Sequence, residues 1–176
     1  MAMIRQGSSY SAKLGWSLVI AAAIIGPLAV VGVSVWNRNL QLDRMASPDP
    51  QRREQALNDF IRHAPDDPRW AAGLSDRMAD FPGDAVVPAI NAMRVAEVEF
   101  DQPLYDGVAA TLPRLPDDAL LEVARLLADP PTAFQLALQA EGIARLRSSA
   151  DFESSKRWVG FLDRMGAWSS PPMPID

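Results

Sequence analysis

The chain has no cysteine and a single histidine, His63, among its 176 residues. The first absence excludes disulfides and thiolate metal sites and leaves the redox compartment open. The second means that a histidine-based metal site would need carboxylates to complete it. Lysine is nearly missing as well: of the 17 Lys and Arg residues only Lys13 and Lys156 are lysine, an arginine bias that reads as genomic composition. Cations are in the minority overall, 17 against 22 acids for a net charge of −5. Past Trp36 the balance is 15 against 22, or −7. Nucleic acid is excluded as a partner on that ground, because its backbone is held by clustered cations. No Gly-x-Ser-x-Gly, Ser-x-x-Lys or glycine-rich phosphate loop occurs, so the motifs of nucleophilic and phosphate chemistry are missing too.

What the sequence does have is Leu14 to Trp36, twenty-three residues without one ionisable side chain. About twenty apolar residues at roughly 1.5 Å each match a hydrocarbon core of roughly 30 Å, which predicts a single transmembrane helix. Trp16 and Trp36 stand where interfacial indoles sit at the two faces of a bilayer. A cleavable signal peptide has a shorter apolar region and a small-x-small site after it, whereas this run ends Val-Ser-Val-Trp-Asn, so a retained anchor is expected. Gly15, Ala22, Gly26 and Ala29 form a stripe of small side chains along which another membrane helix can approach, beside a possible kink at Pro27. The cation count on the two sides is close to a tie. A short head, residues 1–13, usually stays inside, which places the following domain outside the cytoplasm, in the periplasm if the source is bacterial. Expected partners are the bilayer and other membrane subunits.

Residues 37–49 read as a linker or an extension of the membrane helix, stopped by Ser47-Pro48-Asp49-Pro50. Residues 50–166 then read as an all-α domain. Asp49 caps and Pro50 opens a helix to His63 whose face carries Ala56, Leu57, Phe60 and Ile61. Asp67-Pro68 opens a second, to about Ala79, with Trp70, Leu74 and Met78 inward. Gly83-Asp84 opens a third with Val86, Val87, Ile90 and Met93 apolar, Pro88 being accepted as a residue of the first turn, where amides lack helical partners. Pro130-Pro131-Thr132 begins a helix to about Arg147, and Ser149 to Asp151 begins one to about Met165. Their apolar positions are Phe134, Leu138, Ile143, Leu146, Phe152, Val159 and Leu162. The tail, residues 167–176, cannot be helical through its prolines and is either loose or laid along a partner, with Trp168 a candidate contact.

A shift of 34 residues superimposes two stretches without a gap: Asp67 on Asp101, Trp70 on Leu104, Gly73 on Gly107, Met78 on Leu112, Pro82 on Pro116, Asp84 on Asp118 and Val86 on Leu120. The pattern predicts a duplicated helix pair within a small stack of antiparallel helical pairs, with a divergent last pair. Ser47-Pro48-Asp49-Pro50 with Arg53 and Ala56-Leu57, and later Gly83 to Ile90, resemble the two helix signatures of HEAT-like repeats over about residues 47–128. The period equals that of tetratricopeptide repeats, but their Trp, Leu-Gly and Tyr spacing is missing, since Trp70 is followed by Gly73-Leu74 in the reverse order. Either resemblance implies an α-solenoid that binds proteins and brings no catalytic residues.

Single residues offer little chemistry. His63 sits at a helix end, where a cation suits the dipole. Asp66-Asp67 and Asp117-Asp118 precede helices and are expected to cap free amides. Glu97, Glu99, Asp101 and Asp106 are acidic without the glycine and spacing of a calcium loop. Trp158 is expected in the core. No catalytic, cofactor or metal residue is assigned, and the expected function is a non-catalytic, membrane-anchored scaffold or accessory subunit. The competing reading is a receptor or enzyme whose pocket gathers dispersed carboxylates and arginines such as Arg69, Arg94 and Arg125.

Overall fold

The computed structural model describes residues 32–127 and 130–166, and among them every regular element is helical. The chain divides between Leu40 and Gln41 into two compact units. Helical residues 32–45, α1, fall on both sides of that division, and Trp36 is 67% exposed. No described helix is long and apolar enough to cross a membrane. The expected span from Leu14 lies largely outside the described residues, as do Gly15, Trp16, Ala22, Gly26 and Ala29.

In the second unit the chain turns at 46–49 and enters α2, Pro50–His63. Asp49 accepts the Gln51 amide at 3.0 Å, and Pro50 spends its missing N–H where no helical acceptor exists. Then follow α3, Arg69–Ser75; a 3-10 turn, Met78–Asp80; and α4, Gly83–Val95. Next come α5, Gln102–Thr111; a second 3-10 turn, Leu112–Arg114; and α6, Asp117–Leu126. The last pair is α7, Thr132–Ser148, and α8, Phe152–Arg164.

Two expectations are corrected here. The helix from Arg69 stops at Ser75, not Ala79, and the chain tightens into the 3-10 turn. Phe81 precedes Pro82, which forces it extended (φ −67°, ψ 139°), and the tighter turn places both Met78 and Phe81 in the core. Pro88 is not in the first turn of α4 but inside the helix, at its sixth residue. Its ring removes the bond to the carbonyl of Asp84, an exposed residue beside which water can take over.

Some element bounds stand 34 residues apart, although α3 has 7 residues and the matching α5 has 10. The 3-10 turns begin at Met78 and Leu112, and α4 and α6 begin at Gly83 and Asp117. Phe81 and Leu115, which close the turns, share dihedrals of (−67°, 139°) and (−69°, 139°). Trp70 and Leu104, Leu74 and Val108, Val86 and Leu120, and Met93 and Leu127 are buried as pairs.

Neighbouring elements pack in two rows: α2 on α4 and α4 on α6 in one, α3 on α5 and α5 on α7 in the other. The core lies between the rows and runs from Leu42, Met45, Phe60 and Trp70 through Ile90 and Leu104 to Phe134, Leu138, Trp158 and Leu162. Close approach demands glycine in the second row. A Cβ on Gly107 would stand 2.8 Å from Met78 Cβ and 3.2 Å from the Ala79 nitrogen, and one on Gly142 would stand 2.7 Å from the Phe161 ring. Phe152 and Val159 do not join the core as expected. They are 77% and 45% exposed, because α8 packs through its Trp158, Phe161 and Leu162 face and these two positions lie to the side of it.

Candidate functional site

Several polar side chains in this domain tie one helical pair to the next. Asp101 caps α5 through the Leu104 amide at 2.9 Å, and the same oxygen takes the hydroxyl of buried Ser75 at 2.9 Å. Arg114 donates to the Ala79 carbonyl in the first 3-10 turn. Arg145, on α7, does the same for the second: its guanidinium reaches the carbonyls of Leu115 at 2.9 Å and Pro113 at 3.3 Å. It also pairs at 2.7 Å with both Asp117 and Glu141. The hydrogen bond that Arg145 donates to Glu141 is the main cause that raises the Arg145 pKa above the ordinary arginine value; partial burial opposes it, and the charge of Glu141 and the pairing with Asp117 add to it. Arg53 pairs with Asp84, joining α2 to the start of α4. No buried side-chain nitrogen or oxygen among the described residues lacks a partner.

This wiring changes the role expected for one acidic pair. Asp67 does accept the Arg69 amide, at 3.1 Å. Ahead of α6, however, the N-cap is Pro116 with no side-chain cap, and Asp117 and Asp118 pair instead with Arg145 and Arg157 from the last two helices. Arginines approaching from outside compete for these carboxylates, and a charged donor outweighs a neutral amide. His63, exposed in the last turn of α2, lies face to face with Trp70 at 5.7 Å. Of the acidic group, Asp101 is a cap and Asp106 accepts Gln102, while Glu97 holds a left-handed backbone at φ 54°. Among the described residues no three His, Asp or Glu side chains converge as a metal site would require.

A cleft of about 710 Å³ opens between α6 and α8. Elsewhere in this row the helices pack directly, α2 on α4 and α4 on α6, and the start of α4 meets the second 3-10 turn so closely that a Cβ on Gly83 would stand 2.8 Å from the Arg114 carbonyl oxygen. α6 and α8 share no such broad contact and are bridged by the Arg157–Asp118 ion pair. The floor is apolar, with Phe161 buried and Leu121, Ala124 and Met165 half-buried. The rim is charged: Asp118, Glu122, Arg125, Arg157 and Arg164. Hydrogen bonding to Glu122, and then its charge, raises the Arg125 pKa above the ordinary value. An apolar centre inside an exposed polar ring is the anatomy of a docking surface, whereas a small-ligand site buries its few polar groups deep. A second hollow of about 280 Å³, among Gln41, Arg44, Arg52, Gln55 and Asp59, has no apolar residue in its lining.

Of the arginines singled out in the sequence, only Arg125 lines the cleft. Arg69 is bound to Asp67 on α3, and Arg94 is an exposed residue of the last turn of α4. Trp168 lies outside the described residues. Trp158 is in the core, edge-on to Phe161 at 5.6 Å. Sequence reasoning did not single out Arg157, Phe161 and Arg164. Their spacing of four and three places them on one face of α8, but nothing local indicates that α6 is the helix opposite. No family model, curated protein or solved structure matches the chain.

Proposed function

We propose that this protein is a non-catalytic, membrane-anchored interaction subunit: residues 14–36 tether it, and the helical stack offers surfaces to other subunits of a membrane complex. One observation carries the reading, the unfilled seam between α6 and α8 with its apolar floor and arginine rim. The two rows of paired helices and the offset of 34 between their elements support it further, since they agree with a HEAT-like α-solenoid, an architecture that works through its faces. The charge-free run Leu14–Trp36 supports the tether, and the Gly15, Ala22, Gly26 and Ala29 stripe supports contact with a second membrane helix.

Extraction from membranes in mild detergent, followed by sizing and identification of cross-linked neighbours, tests this. The expected result is a hetero-assembly well above the 19.2 kDa of the chain. Recovery as a lone monomer, or in soluble form with the apolar run removed, overturns it.

A further inference from the structure

We infer that the α6–α8 cleft receives an acidic segment of another protein, anchored by two or three apolar side chains and held at its edge by Lys156 and Arg164. The inference rests on the scaffold reading and names the surface and the chemistry of its partner. The cleft continues along α8 into a shallower groove of about 320 Å³ that shares Arg157 and Arg164 with it and runs over Gly160, where a Cβ would meet nothing within 4 Å. Two cations of this surface are already matched, Arg157 by Asp118 and Arg125 by Glu122. Lys156 and Arg164 make no ion pair among the described residues, and they flank Gly160 at four residues on either side, on one stripe of α8. With Glu153 the joined surface holds four cations against three acids, while the whole chain is at −5.

An acidic partner is therefore repelled by the chain as a whole and drawn to this face, where the cations outnumber the acids beside an apolar floor, which is how charge selects register and partner. A basic partner would meet Lys156 and Arg164 head on. Leu121, Ala124, Phe161 and Met165 provide the desolvated centre that supplies the affinity, and the charged rim excludes water around it.

The test uses the full chain in the cells that make it, with a photo-reactive phenylalanine analogue in place of Leu121 and, as a control, at exposed Arg62 on α2. Irradiation is expected to join Leu121, and not Arg62, to a second polypeptide through a segment carrying acidic residues next to apolar ones. The double variant Lys156→Glu, Arg164→Glu should lower that yield at least tenfold. Arg164→Gln should lower it less, both variants keeping the helical circular dichroism of the wild type, since neither side chain makes an ion pair among the described residues. Charge reversal in the captured segment should restore the yield. Adducts to residues 167–176 of the same chain, to a second copy, or to lipid alone would overturn the inference, as would indifference to charge reversal. An assembly that persists on sizing with an unlabelled cleft overturns this inference and spares the scaffold reading. A monomer on sizing overturns both.

Discussion

Arg145 illustrates how much one side chain carries in this fold. Its side chain is only 21% exposed, and it serves two carboxylates and the carbonyls of a 3-10 turn at once. Arg145→Ala is expected to destabilise the protein by about 2–3 kcal/mol in urea unfolding, because the carbonyls and the half-buried Glu141 lose a shared donor. Arg145→Lys should recover little of this, since a single ammonium cannot span the same set. Two glycines give effects of opposite sign. Gly107→Ala puts a methyl group against Met78 Cβ and backbone and should cost about 1–3 kcal/mol. Gly160→Ala, in open space within α8, should gain about 0.5–1 kcal/mol by removing helical glycine. A loss at Gly160 as large as that at Gly107 would show that the open space described at α8 is wrong.

Among the elements, α8 depends most on its cap. Asp151 accepts the Ser154 amide at 2.8 Å and the Ser154 hydroxyl at 2.8 Å, and these bonds, the amide first, lower its pKa below the ordinary carboxylate value. A lowered folded-state pKa means that the contribution is present above the unfolded carboxylate's value of roughly 4 and is lost as pH falls through the folded value. Protection of α8 amides, measured against their intrinsic exchange rates, should therefore fall on acidification below about pH 4. Asp151→Ala should exchange faster than wild type at pH 6 and converge with it in acid, and a constant gap at all pH values would remove the cap from the account. The helix itself was legible: Asp49, Asp101 and Asp151 each announced a start, and Phe60, Leu74, Met93 and Leu138 were placed inward by period alone. Local pattern did not show where α3 would tighten into a 3-10 turn, or that Asp117 and Asp118 would leave capping for arginines 28 and 39 residues away. Both depend on what packs alongside, and no window of sequence contains that. Phe152 and Val159 are exposed for a related reason: both are apolar, but the face of α8 that packs is the one carrying Trp158, Phe161 and Leu162.

For the whole molecule, anchor and stack make separable predictions. If the small-residue stripe is a contact between membrane helices, Gly26→Ile should shift the sizing profile toward lower mass while leaving thermal unfolding of the helical domain unchanged. An unaltered profile would remove the stripe from the proposed function. The α6–α8 seam was the least legible feature, because it arises from the place of α8 relative to a row and not from any motif. The backward-reaching arginines have a further consequence. Arg114 closes a turn made 35 residues earlier, and Arg145 one made 30 residues earlier, so neither 3-10 turn is finished by the residues that form it. During synthesis at about 5–20 residues per second, each completed hairpin waits a few seconds with bare carbonyls until its successor leaves the ribosome. Assembly is thereby ordered in time, and a translational pause just before either codon would prolong the interval in which the nascent protein is most open to proteases and chaperones.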